Sequence, residues 1–167
     1  MAVTIRPATV ADIPFVMATE RRPGFDQLVG RSEEAQHRLE IASPGIAYLI
    51  GERDGRANGF AILRGLDDAF GNVYLKRIAV REPGTGFGRC FLRAVIAWSF
   101  AQPKTHRFWL DVFLDNERAR HVYRTVGLRE DGVLREAYVM PDGTRRSQAL
   151  MSILRGEWEE TLSGIAR

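Results

Sequence analysis

The chain has 167 residues, of which 45% are hydrophobic and 27% are charged, and its formal net charge is +3. This is the composition of an ordinary globular protein, and the length suits one domain over residues 1–167. No apolar run approaches the roughly 18 residues of a membrane span, and the arginines are scattered rather than clustered, so we expect neither a membrane nor a nucleic-acid partner.

The first half of the chain predicts a strand, two helices and three further strands. Thr9 can cap the first helix, because apolar residues recur at helical spacing at positions 10, 13, 16 and 17. Ser32 begins the second helix, and Asp54-Gly55 is typical of the turn of an antiparallel hairpin. The predicted ranges are 3–6 for the first strand, 32–41 for the second helix, and 47–51, 58–63 and 73–80 for the three strands.

The second half alternates helix and strand and then ends in a hairpin. The predicted elements are a helix over 86–100, a strand over 108–114, a helix that Asp115 or Asn116 caps and Gly127 ends, and strands over 133–140 and 146–154. Pro141-Asp142-Gly143 supplies the last turn. The order predicts an α/β fold with a mixed, mostly antiparallel central sheet flanked by helices on both faces.

A glycine-rich turn between strand 73–80 and helix 86–100 is the most informative feature. Gly84, Gly86 and Gly88 let backbone N–H groups approach an anion closely, and the helix adds the positive end of its dipole. We therefore predict a phosphate cradle. Arg89 and Cys90 stand where a Walker loop needs Lys and Ser or Thr, and the third glycine of a dinucleotide fingerprint is missing.

Two strings together resemble the GNAT superfamily of N-acetyltransferases. R-E-P-G-T-G at 81–86 looks like its pyrophosphate loop, R/Q-x-x-G-x-G/A. N-E-R-A-R-H-V-Y-R-T-V-G-L at 116–128 looks like its cofactor-side helix, which ends in Y-x-x-x-G-F/L. The order of elements also agrees. The ending of the chain is most similar to the branch of ribosomal-protein serine and alanine acetyltransferases and spermidine acetyltransferases, although Ser147 stands where that branch often has Asp.

The resemblance implies an N-acetyltransferase that moves the acetyl group of acetyl-CoA directly to a primary amine. The acceptor would be a protein N-terminus, a polyamine or another small amine. Many members of the superfamily are dimers, so a homodimer is also an expectation that the residues leave open. The residues that would hold the cofactor are Ile78, Val80, Arg81, Gly84, Thr85, Gly86, Phe87, Gly88, Arg89, Asn116, Ala119 and Tyr123. A non-catalytic acyl-CoA-binding domain is the alternative.

The resemblance also points to catalytic residues. Tyr123 is the candidate acid, because a phenol with a pKa of about 10 can protonate a thiolate whose conjugate acid is near 8.5. Its place on an apolar stripe would equally suit a core aromatic. Asp111 is the candidate base, acting through water, or else a partner of an arginine. Acceptor-side alternatives are Glu33, Glu34, Glu136 and Tyr138.

Three further expectations concern the remaining reactive residues. Cys90, the only cysteine, excludes an internal disulfide and is interpreted as a buried filler. The three histidines lack metal-ligand spacing, so no metal is expected. Arg120 and Arg124 face either the cofactor phosphates or solvent.

The strand-like N-terminus shows no leader, which predicts a cytoplasmic protein.

Overall fold

A computed structural model describes residues 2–25 and 27–165. The strands are β1 Thr4–Pro7, β2 Ile46–Arg53, β3 Arg56–Arg64, β4 Asn72–Val80, β5 Arg107–Phe113, β6 Arg129–Val139 and β7 Arg145–Leu154. The helices are α1 Ile13–Glu20, α2 Glu34–Ile41, α3 Phe87–Ala101, α4 Glu117–Thr125 and α5 Arg155–Ile165, and a short 3-10 turn, Val10–Asp12, precedes α1.

The seven strands form one sheet in the order β1-β2-β3-β4-β5-β7-β6. All neighbours are antiparallel except β4 and β5, which are parallel because α3 connects them as a crossover. The predicted mixed, mostly antiparallel sheet is confirmed.

Apolar clusters cover both faces of the sheet. On one face Phe87 and Phe91 of α3 pack against Leu63 and Leu110 of the strands. On the other face Val16 of α1 packs in a cluster with residues of β2, β3 and β4. None of the described helices is both long and apolar enough to cross a membrane.

Helices α5 and α2 differ from the sequence prediction. Helix α5 was not predicted, because its sequence is mostly polar and contains two glycines. Its Trp158 packs beside Phe100 with ring centroids 6.3 Å apart. Helix α2 begins at Glu34 rather than at Ser32. Ser32 instead donates its backbone N–H to the Glu20 carboxylate at 3.0 Å. Ser32 therefore bonds to α1 and does not cap α2.

A β-bulge at Lys76 changes which face of the sheet the β4 side chains meet. Ile62 of β3 lies opposite Arg77 and Leu63 lies opposite Leu75, which leaves Lys76 as the extra residue. A bulge bends its strand and increases the local twist. Accordingly, β4 pairs with β5 only through 72–74, before the bulge, and the two strands diverge beyond it.

Helices α1 and α2 are tied to β4 by ion pairs with little exposure. Glu20 of α1 accepts hydrogen bonds from Arg77 at 2.5 Å and from Arg21 at 2.6 Å, and His37 of α2 lies 3.1 Å from it. Glu40 of α2 contacts the Lys76 ammonium at 2.8 Å. The bulged region of β4 is therefore fixed on this face by charged side chains as well as by apolar packing.

Glu40 should make stability depend on pH in the acid range. Burial opposes ionisation of this carboxyl, but hydrogen bonds from Lys76, Gln36 and Arg64 outweigh it and lower the pKa from 4.5 to about 2. A carboxyl whose folded pKa is depressed stabilises the fold above its unfolded pKa. We expect this contribution to be lost as pH falls from about 4.5 to about 2.

Urea unfolding at a series of pH values would check this dependence. The Glu40→Gln variant should lose stability less steeply than the parent over that range. Glu34→Gln removes a carboxylate from an exposed pair with Arg38 and serves as the control, because exposed pairs contribute little. Parallel curves for the parent and Glu40→Gln would contradict the prediction.

Candidate active site

The divergence of β4 and β5 leaves a cleft that begins beyond Tyr74 and Trp109, their last paired residues. The Arg81 N–H donates to the carbonyl of Asn58 on β3 at 2.7 Å. Because backbone groups alternate sides along a strand, those of Ile78 and Val80 point away from β3, toward the cleft. The structure thus places both predicted cofactor-binding strand residues along one wall of the cleft.

The glycine turn closes one end of this wall. Gly84 and Gly86 have φ values of 83° and 81°, in the left-handed region that favours glycine. Gly86 is the N-cap of α3 and no side chain caps that helix, although the Thr85 hydroxyl lies 3.4 Å from the Phe87 N–H. The first turn of a 15-residue helix is therefore presented at an exposed loop.

The other predicted residues of this loop have different surroundings. The Phe87 side chain is fully buried, so only its backbone can serve a ligand. Arg81 and Arg89 are exposed. A Cβ added at Gly88 would meet a Val80 methyl at 3.7 Å, so this glycine packs against β4.

Arg118 and Arg22 are charged neighbours of the loop that sequence reasoning missed. A guanidinium nitrogen of Arg118 lies 4.0 Å from the position that a Cβ on Gly84 would take. Arg22 donates to the Arg81 carbonyl at 2.6 Å. No motif indicates either residue, because α4 and the segment after α1 meet the loop only in the folded chain.

Tyr123, the candidate acid, lies on helix α4. Asn116 caps the helix by accepting a hydrogen bond from the Ala119 N–H at 3.1 Å, as predicted for a cap. Tyr123 is half-buried and packs against the α3-side core. Burial, and secondarily the negative charge of Asp111, raises the Tyr123 pKa to about 12. The hydroxyl therefore stays protonated at neutral pH.

Arg120 and Arg124 do not turn toward a phosphate site in this structure. Arg120 is paired with Glu117 and also with Glu130 at 2.8 Å. Arg124 contacts Glu130 at 3.0 Å. Arg124 is nevertheless an exposed helix arginine, as the solvent alternative predicted, whereas the Arg120 side chain is only 13% exposed.

Asp111 projects from β5 toward the α1 and α2 face of the sheet, because its neighbours Leu110 and Val112 belong to the α3-side cluster. Its Oδ2 accepts a hydrogen bond from the Tyr74 hydroxyl at 2.7 Å, and its Oδ1 accepts one from the Gln148 side-chain amide at 2.7 Å. Within the described ranges no Lys, Arg or His forms a salt bridge with Asp111. The described residues therefore show no arginine paired with Asp111.

In the described part of the chain, none of the four acceptor-side alternatives bonds to this carboxylate. Glu33 pairs with Arg21 at 3.3 Å, and Glu34 pairs with Arg38. Glu136 lies in a bulge of β6 with a φ of 51° and donates its N–H to the Ser147 hydroxyl at 2.9 Å. Tyr138 packs its ring edge against Phe113, with centroids 5.0 Å apart.

The segment between α1 and α2 reaches both sides of the cleft. Arg22 contacts the backbone after β4, as described above, and Arg146 of β7 donates to the Gln27 carbonyl at 2.8 Å. Arg146 also lies over the Phe113 ring at 3.7 Å and pairs with Asp115. Asp26 of this segment lies outside the described residues. Two arginines thus link the segment to the glycine loop and to β7.

No group of three or more His, Cys, Asp or Glu side chains in the described part of the chain is arranged to hold a metal ion. Cys90 on α3 is half-buried and forms no disulfide. The candidate site residues are backbone amides, a phenol and a hydrogen-bonded carboxylate. Such groups suit transfer of an acyl group between a thioester and an amine.

Residues 16–128 match the model of the acetyltransferase (GNAT) family. The chain belongs to this family. The GNAT resemblance predicted from the two sequence strings is confirmed, and an N-acetyltransferase is favoured over a non-catalytic binding domain.

Known proteins similar to this GNAT chain include polyamine and ribosomal-protein acetyltransferases. A spermidine N(1)-acetyltransferase of Vibrio cholerae is 30% identical over 81 residues, which is 48% of this chain and 46% of that protein. The match thus spans about half the length of that relative.

Two solved structures share the fold. The spermidine N-acetyltransferase of V. cholerae in complex with CoA and spermine has a TM-score of 0.83 at 20% identity, covering 94% of this chain and 98% of that one. The ribosomal-protein-S18-alanine N-acetyltransferase of Escherichia coli has a TM-score of 0.74 at 22% identity, covering 92% and 94%.

Proposed function

We propose that this GNAT chain, acting as one domain over residues 1–167, transfers the acetyl group of acetyl-CoA directly to a primary amine. The observation that carries the proposal is the cleft between β4 and β5. Free backbone groups of Ile78 and Val80 line one wall, the Gly84 and Gly86 turn lies at its end, and the charge of Asp111 acts on Tyr123.

The cofactor would lie along β4 as an added strand. Backbone groups of Ile78 and Val80 would hold the pantetheine arm, and N–H groups from 81–89 would hold the pyrophosphate. Asn116 and Ala119 at the start of α4 would contact the same molecule. The left-handed glycines fit this role, because they turn successive N–H groups toward one side of the loop.

Two side chains of the protein would move protons. Asp111, through a water molecule, would accept the proton that the amine loses as its nitrogen bonds to the acetyl carbon. Tyr123 would donate its proton to the sulfur as the carbon–sulfur bond breaks. The pKa of about 12 makes Tyr123 a weaker acid than a free phenol. The same burial would raise the pKa of the departing CoA thiol, so the gap between the pKa values of the phenol and of the thiol would narrow.

The acceptor is proposed to be a protein N-terminal amine or a polyamine. The relatives named above act on these two kinds of amine. Assay of spermidine, spermine and peptides that begin with Ala or Ser, with free CoA measured by chromatography, would separate the two. Binding of acetyl-CoA without acetylation of any amine would favour the non-catalytic alternative. A cytoplasmic location and a homodimer stay predictions from the sequence.

Gly86→Val should weaken acetyl-CoA binding. Space does not limit this position, since a Cβ there would have no neighbour within 4 Å, but a β-branched residue is strained at a φ of 81°. The loop would relax and turn its N–H groups away from the pyrophosphate. We expect the Kd for acetyl-CoA, measured by calorimetry, to rise by about tenfold or more.

Gly55→Val is the matched control for this prediction. Gly55 has a φ of 71° in the turn between β2 and β3, and it also has no neighbour within 4 Å of an added Cβ. The two variants should lose similar thermal stability, and only Gly86→Val should lose affinity. Equal Kd values for the two variants would show that the conformation of the glycine loop does not determine the affinity for acetyl-CoA.

A further inference from the structure

Side chains from two other strands hold the Asp111 carboxylate of β5. Tyr74 occupies the last position at which β4 pairs with β5, and its hydroxyl reaches Asp111 across the base of the cleft at 2.7 Å. Gln148 lies opposite Phe113 on β7 and reaches Asp111 diagonally, also at 2.7 Å. Three strands thus meet at one carboxylate where the cleft begins.

The two bonds leave the carboxylate able to act on a substrate. An ionised carboxylate has about four lone-pair sites, so two remain after Tyr74 and Gln148 have donated. Hydrogen bonds donated to the charged form favour that form. Both donors are neutral, so the negative charge is not cancelled by an ion pair. A bound amine would meet a charged acceptor of fixed direction.

Among the described residues, the charged side chains of the neighbouring strands pair elsewhere and not with Asp111. The positive charges of Arg64 on β3 and Arg77 on β4 act to lower the pKa of Tyr74. The negative charge of Asp111 acts to raise the pKa of Tyr123 on α4. Within the described part of the chain, neither arginine bonds to Asp111, since Arg64 pairs with Glu40 and Arg77 with Glu20. The direct contacts of the carboxylate are therefore the phenol and the amide.

We infer that Tyr74 and Gln148 are positioning residues for the acceptor-side base, because they aim the free lone pairs of the Asp111 carboxylate at the incoming amine. The inference rests on the proposed function, in which Asp111 accepts the proton of the amine. Tyr74 suits this task because its ring stacks on Trp109, with centroids 4.3 Å apart. Burial, and then the hydrogen bond to Asp111, raises the pKa of Tyr74, so its hydroxyl continues to donate.

The test compares Tyr74→Phe, which keeps the stacked ring, with Gln148→Leu. Gln102→Leu is the matched amide control, since that side chain donates to the Trp98 carbonyl at the end of α3. The Asp111 titration midpoint is read by carbon-13 NMR of aspartate-labelled protein, with the signal assigned by its loss in Asp111→Asn. The pH profile of kcat/KM is measured with the best amine of the panel.

Loss of one donor destabilises the charged form of the carboxyl, so the measured Asp111 midpoint should rise relative to the parent in Tyr74→Phe and in Gln148→Leu. The acid limb of kcat/KM should move in the same direction, and the control should match the parent. Unchanged midpoints, or pH profiles identical to the parent's, would overturn the inference. A parent that acetylates no amine would instead contradict the proposed function, while the midpoints still report whether the two donors act on the Asp111 carboxylate.

Discussion

Tyr123→Phe is expected to lower kcat by at least about 10²-fold while leaving the Kd for acetyl-CoA nearly unchanged. General acid catalysis typically contributes 10² to 10⁴-fold, which corresponds to about 3–5 kcal/mol of transition-state stabilisation. Phenylalanine keeps the apolar ring that packs against the α3-side core, so the fold should tolerate the change. Steady-state kinetics of CoA release and calorimetry with acetyl-CoA would measure the two quantities.

The raised pKa of Tyr123 adds a second expectation about the parent. Because this pKa is about 12, the hydroxyl stays protonated through the neutral and mildly alkaline range. Its ionisation should cause no loss of kcat below about pH 10. Turnover of Tyr123→Phe equal to that of the parent would show that Tyr123 is only a core aromatic. Equal losses of kcat and of acetyl-CoA affinity would show that it serves binding.

The elements that local patterns determine were predicted well. The Asp54-Gly55 turn defined the hairpin of β2 and β3, and the glycine turn marked the start of α3 within one residue. The α4 cap at Asn116 was one of the two that the sequence predicted, the other being Asp115. Each of these signals lies within a few residues of the structure that it specifies, so propensity and turn chemistry suffice.

The surroundings of Asp111 could not be predicted in the same way. Tyr74 and Gln148 each lie 37 residues from it along the chain, and only the sheet order brings them together. The bulge at Lys76 also has no local signal, because it depends on how β4 registers against β3. Sequence therefore indicated the candidate base, whereas its hydrogen-bond donors and the opening of the cleft depend on long-range pairing.

The second large effect concerns the charges that fix β4. Arg77→Met should lower the free energy of unfolding by about 3 kcal/mol, because breaking a buried ion pair leaves an uncompensated charge. The Arg77 side chain is 7% exposed and that of Glu20 is fully buried. Arg21 still contacts the other oxygen of Glu20, which places the loss at the lower end of the usual range of about 3–5 kcal/mol.

Urea denaturation of Arg77→Met and of Arg38→Met would compare the stability lost with a buried ion pair to that lost with an exposed one. Arg38 pairs with Glu34 on the surface of α2, where both side chains are more than half exposed, and such pairs contribute about 0.3–0.5 kcal/mol. Similar losses in the two variants would mean that the Glu20 carboxylate finds other compensation. A large loss confined to Arg77→Met would show that this buried ion pair secures α1 to β4, directly beside Ile78 and the cleft wall.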